Sequence, residues 1–101
     1  MLKRKILLSD DHAVALADLF RLLGDPTRLR IVVACLRTPL AVSDIAERLG
    51  LSVSLVSHHL RLLKGARLVR AERQGRQVYY GADDMHVRRM VEDMVTHIEE
   101  H

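Results

Sequence analysis

Asp84, His86, His97 and Glu100 are the residues of this chain best suited to hold a metal ion, and they share one run, Asp83 to His101, that reads as helix. His86 and His97 are 11 positions apart. At about 100° per residue they fall on one face, yet at about 1.5 Å rise per residue they stand roughly 16 Å apart along the axis. Zinc needs its ligand atoms at about 2.0–2.2 Å, so one helix cannot close the site. Two antiparallel copies can: Asp84 and His86 of one chain would meet His97 and Glu100 of the other. Two-fold symmetry then gives a pair of equivalent sites per dimer. Two imidazoles and two carboxylates favour Zn(II) and tolerate Co(II). Ni(II) or Co(II) sensing would call for further ligands, for which His101 and His12 are the available donors.

The elements that must position these residues belong to a short chain. Its 101 residues suit a single domain, 1–101, with a flexible start expected over 1–9. Only three residues are aromatic, so a core of Leu, Val, Ile, Ala and Met is expected, as in packed helices. The net charge of +3 conceals an asymmetry. From Arg48 to Tyr80 seven Lys/Arg face one acid, Glu72, a balance of +6. From Ala82 to His101 six acids face Arg88 and Arg89, a balance of −4. A basic middle calls for a polyanion and an acidic end for a cation. The lone Cys35 excludes an intrachain disulfide and fits a reducing cytoplasm. No long apolar run is present, so neither a signal peptide nor a membrane span is expected.

Ser9-Asp10-Asp11 caps a first helix carrying Val14, Leu16, Ala17, Leu19, Phe20, Leu22 and Leu23, and Gly24 stops it. Asp25-Pro26 starts a second helix that runs to about Leu36, with Cys35 among its apolar residues. A short helix over Ser43 to Leu49 ends at Gly50, and Ser52 or Ser54 caps the next, which reaches Lys64-Gly65. Short helix, tight turn and amphipathic second helix have the form of a helix-turn-helix. The core stripe of the second is Val53, Val56, Leu60 and Leu63. Ser52, Ser54, Ser57, His58, His59, Arg61 and Lys64 are the candidates for DNA contacts. Val69 to Glu72 and Gln77 to Tyr80 read as strands joined through Arg73-Gln74-Gly75-Arg76, a basic wing in which Arg73, Gln74 and Arg76 are further candidates beside Arg70 and Gln77. Asp83 or Asp84 caps the last helix. The fold expected is mainly α with a small β-hairpin, in the order α-α-α-α-β-β-α. A solvated basic face on an ordinary helical domain is the alternative to DNA binding. Turn, helix and basic hairpin occurring in this order favour DNA.

The stretches Leu23-Gly24-Asp25-Pro26-Thr27-Arg28-Leu29-Arg30-Ile31, Val56-Ser57-His58-His59-Leu60-Arg61-Leu62-Leu63 and Gln74-Gly75-Arg76-Gln77-Val78-Tyr79-Tyr80 resemble the ArsR/SmtB family of winged-helix, metal-responsive repressors over residues 10–101. The resemblance implies a homodimer built on the first and last helices and a palindromic double-stranded DNA operator, bound without metal and released when the inducing metal binds. It also implies that the zinc-sensor pattern, Asp-x-His and then His-x-x-Glu/His on the last helix, is met by Asp84, His86, His97 and Glu100. A second site type in the family uses cysteines before the recognition helix. Ala41-Val42-Ser43-Asp44-Ile45 has none, so thiolate sensing is not expected.

The apolar stripe Val87, Met90, Val91, Met94, Val95 and Ile98 suits either a dimer partner or the chain's own first helix. Two competing functions are a winged-helix regulator with another signal and a metal buffer without an operator; the basic wing argues against the second. Enzyme activity is not expected: there is no Gly-rich phosphate loop, Cys35 lacks an adjacent base, and a four-ligand site leaves no open position.

Overall fold

A computed structural model describes residues 7–101; positions 1–6 of the expected flexible start lie outside the described residues. The elements are α1 (Asp10–Leu23), α2 (Pro26–Ala34), β1 (Leu40–Ala41), α3 (Val42–Leu49), α4 (Val53–Gly65), β2 (Val69–Gln74), β3 (Gln77–Ala82) and α5 (Met85–Glu99). No helix among the described residues is long and apolar enough to cross a membrane.

Short polar side chains begin four of the five helices. Ser9, Asp25, Ser52 and Asp84 accept from the backbone N–H of His12, Arg28, Leu55 and Val87, at 3.1, 3.0, 3.1 and 2.9 Å. Each satisfies one of the otherwise unpaired amides of a first turn. Helix α3 lacks such a cap: it follows directly from Ala41 in β1. Gly50 ends α3 at φ 68°, and its N–H reaches back to Ala46 and Glu47. That left-handed residue is what lets the chain turn tightly into α4.

The strand β1 is an addition to the expected order. It is two residues long, pairing Leu40 with Tyr80 and Ala41 with Tyr79, so the sheet has three antiparallel strands in the order β1-β3-β2. The β2–β3 hairpin is also longer than expected: Val69 pairs with Ala82 and Gln74 with Gln77, leaving Gly75 and Arg76 as the turn. Gly75 takes φ 64°, as a two-residue hairpin with glycine first requires. Helix α2 stops at Ala34, two residues short of Leu36, although Leu36 is still buried.

The core joins α2, α3, α4 and the base of the hairpin: Ile31, Val32, Cys35, Ile45, Val56, Leu60, Leu63, Leu68 and Val69 are nearly inaccessible. Cys35 is part of it, as expected. Its Sγ donates to the Ile31 carbonyl at 3.4 Å, and burial pushes its thiol up to about 11. Val53, assigned to the same stripe, is 52% exposed because it opens α4 before the helix reaches the core.

The terminal helices are different. Of α1 only Leu23 is buried, and of α5 only Val91. Val14, Leu16 and Phe20 on one, and Met94, Val95 and Ile98 on the other, are exposed. Between the two helices runs an apolar groove of about 300 Å³ lined by Phe20, Leu29, Met90, Met94, Val95 and Ile98 among others. Val91, with Val87 and Met90 packed beside it against the core, fixes α5 to the body, and one polar contact from Arg37 adds to them. Glu92 accepts from Arg37 Nε at 2.6 Å and from Arg88 Nε at 3.3 Å, and the Arg37 hydrogen bond holds its carboxyl below the usual range.

Candidate nucleic-acid interface and metal-ligand positions

Helix α4 sits on the core through Val56, His59, Leu60 and Leu63. The opposite side carries Ser54, His58, Arg61 and Lys64, all exposed, with Ser57 half-buried. Ser52, the cap, lies exposed at the start, its Oγ 3.3 Å from Ser54 Oγ. The wing extends the same chemistry: Arg70, Arg73, Gln74, Arg76 and Gln77 are exposed. Arg73 turns its Nε to the Gly75 carbonyl at 3.3 Å, which leaves its terminal nitrogens for other acceptors. Hydroxyls and an imidazole on a helix, flanked by guanidiniums on a hairpin, form a donor-rich surface able to meet base edges and phosphates.

His59 is the correction to the expected set. It is 9% exposed and faces inward from α4, where its Nδ1 accepts from Arg28 Nε at 3.1 Å. Burial, then the Arg28 charge, lowers its pKa, with Asp25 acting in the opposite sense. The signal was available: positions 56, 59, 60 and 63 are one continuous helical stripe, and His59 occupies a core position in it. The sequence reading also left out Leu55, an apolar residue on the outer face of α4 that is 40% exposed. Side chains of that kind make contacts with thymine methyl groups.

The four metal-ligand candidates lie on α5 or at its ends. Asp84 is the N-cap, with Oδ1 engaged by the Val87 N–H, and Glu100 is the C-cap. His86 and His97 are exposed on the helix between them. The helix is uninterrupted from Met85 to Glu99, so it keeps the two pairs at opposite ends. Among the described residues no three His, Cys, Asp or Glu side chains gather where they could hold one ion. The donors fit a tetrahedral metal in kind and number, and within one protomer they do not fit it in position. The rings of His97 and His101 lie 4.9 Å apart, so His101 is a neighbour of the candidate site, whereas His12 is at the start of α1.

Residues 25–71 match the family model for bacterial regulatory proteins of the arsR family. The chain is 42% identical over 93 residues to a transcriptional repressor SmtB homolog of Synechocystis sp., covering 92% of this chain and 70% of that protein. Its fold is similar to the antimony-specific transcriptional repressor AntR, at 35% identity and a TM-score of 0.81, covering 98% of this chain and 90% of the other. It is equally similar in fold, with a TM-score of 0.81 and 28% identity over 96% of this chain and 93% of the other, to the homodimeric winged helix-turn-helix DNA-binding domain of Mb0332 from Mycobacterium bovis. The chain therefore belongs to the arsR family of bacterial regulatory proteins, winged-helix transcriptional regulators rather than enzymes.

Proposed function

We propose that this protein is a metal-responsive repressor that works as a homodimer in the cytoplasm and leaves its operator when Zn(II) binds between the two α5 helices. The observation that carries the reading is the α5 pattern. Two donors stand at each end of one uninterrupted helix, and the exposed apolar residues Met94, Val95 and Ile98 lie along that same helix. A second copy of the chain laid antiparallel on α5 covers these residues. It also brings Asp84 and His86 of one protomer to His97 and Glu100 of its partner. The apolar groove between α1 and α5 supports a dimer, and so does the homodimeric Mb0332 domain.

In such a dimer each protomer offers one α4 to the major groove, and each wing offers Arg73, Gln74 and Arg76 to the flanking backbone. A palindromic operator matches that symmetry. Asp84 and His86 of one protomer with His97 and Glu100 of the other would hold Zn(II), which would supply a cross-link between the two chains. The residues of the chain convert it into a signal: Glu92, on α5 between the donor pairs, is held by Arg37 from the body, so a displaced α5 acts on the DNA-reading body. Release by tenfold to a thousandfold requires a coupling of about 1.4–4 kcal/mol, within reach of a few such contacts. The alternative metals are Ni(II) and Co(II), and the His97–His101 proximity is the observation in their favour.

Zinc titration at pH 7 against a chromophoric chelator, on wild type and His97→Ala, tests the reading. The expected result is about one tight zinc per protomer, lost in the variant, with metal-free DNA binding kept. Absence of tight zinc in wild type, or zinc-driven DNA release by His97→Ala, would overturn it.

A further inference from the structure

His59 is the one buried polar residue among the described residues, and it stands on the helix that faces DNA. Its apolar companions Val56, Leu60 and Leu63 press α4 onto the core without fixing direction, since hydrophobic contact is non-directional. The hydrogen bond from Arg28 is directional. It runs from α2 to α4, and Arg28 is held from the other side by the Leu22 carbonyl, 3.5 Å from Nη1. An imidazole nitrogen can accept only through a lone pair, so this contact requires Nδ1 to be bare and the ring neutral, with its proton on Nε2.

We propose that Arg28 and His59 are a positioning pair that holds the recognition helix in its DNA-reading pose only while the His59 ring is neutral, so that acid weakens DNA binding through this ring. The inference rests on the DNA-binding reading above. Adding a proton at Nδ1 sets N–H against N–H and positive charge against positive charge. The charged groups acting on the ring are Arg28 and Asp25 from α2 and His58 from its own helix; Arg28 and His58 oppose the proton and Asp25 favours it. Asp25 Oδ2 is occupied by the Arg28 backbone N–H at 3.0 Å, which keeps that carboxylate at the start of α2. Burial of the ring opposes protonation further. The sign follows: a histidine whose native state binds its proton less readily than the open state keeps its contact at and above neutral pH, and loses it as pH falls below the ordinary histidine range.

The test compares wild type with His59→Asn, whose Oδ1 takes the place of Nδ1 as acceptor and cannot be protonated. Binding is measured by fluorescence anisotropy between pH 7.5 and 5.0 at constant ionic strength. The probe is a labelled duplex that wild type has selected from a random-sequence pool. The other histidines are common to both proteins and cancel in the ratio of dissociation constants. The ratio of their dissociation constants at pH 7.5 is the reference. On acidification wild type should weaken relative to the variant by about two- to tenfold per protomer, the worth of one net hydrogen bond. A ratio that does not change with pH overturns the inference alone; no DNA binding by wild type at any pH overturns the DNA reading and this inference with it. Should His59→Asn not fold, histidine ring nitrogen spectra of wild type decide: an Nδ1–H tautomer or a ring already charged at pH 7.5 overturns the pair, and a neutral Nε2–H ring supports it.

Discussion

Replacing Arg73 and Arg76 by Gln should flatten the salt dependence of DNA binding by a calculable amount. Both side chains stand exposed at the tip of the hairpin, and neither is in an ion pair among the described residues. Two guanidiniums per protomer make four per dimer. Each phosphate they neutralise contributes about 0.9 to the slope of log K against log salt, so the double variant should lose about 3.6 from that slope. Over a fourfold range of salt, from about 50 to 200 mM, the wild-type affinity should then fall about 150-fold more than that of the variant. The assay is fluorescence anisotropy of a labelled duplex at several KCl concentrations. The control is Arg21→Gln with Arg37→Gln, which removes the same net charge from places where Asp18 and Glu92 already engage the guanidiniums. A slope change below about one in the wing variant would refute phosphate contact by the wing. An equal change in the control would assign the effect to the general field of the protein.

Leu63 is wholly buried, and Leu63→Ala should cost about 2–5 kcal/mol in chemical denaturation; a loss below about 1 kcal/mol would show that the core closes over the gap. Cys35, at 1% exposure and with its thiol pushed up to about 11, should react with a disulfide reagent at pH 8 far more slowly in the native protein than in guanidinium. Rapid native labelling would contradict its place in the core.

Much of this fold was legible because its boundaries are made by short-range chemistry. Ser9, Asp25 and Ser52 announce helix starts in the sequence and act as caps in the structure, and Gly50 and Gly75 mark two of the three turns with positive φ among the described residues; the third, at Arg67 (φ 60°), carries no glycine to announce it. The strand β1 was not legible. Leu40 and Ala41 show no alternation, and their conformation is set by Tyr79 and Tyr80, far along the chain. His59 was misplaced by weighing its polarity above its position: the helical spacing puts it inside, and what makes that tolerable, the Arg28 donor, comes from another helix. The donors proposed on α5 stand in the sequence as a pattern, because their uselessness within one helix follows from its rise per residue. Which ion the proposed site would take is not written in spacing, since Asp84 and Glu100 offer hard carboxylate oxygens and His86 and His97 borderline imidazoles, a set that several divalent metals accept.

The small strand β1 has a consequence for how the wing can vary. It places β3 in the middle of the sheet, gripped by Leu40 and Ala41 on one side and by Val69 to Gln74 on the other, and it leads without a break into α3. The base of the wing is thus tied to the start of the helix-turn-helix, while Gly75 and Arg76 project beyond every pairing. Residues added or removed at that tip would change how far the wing reaches along the groove and leave the angle between wing and recognition helix as it is. Reach and angle are separate variables in this architecture, so descendants of the sequence can adapt to operators of different breadth by editing a two-residue turn.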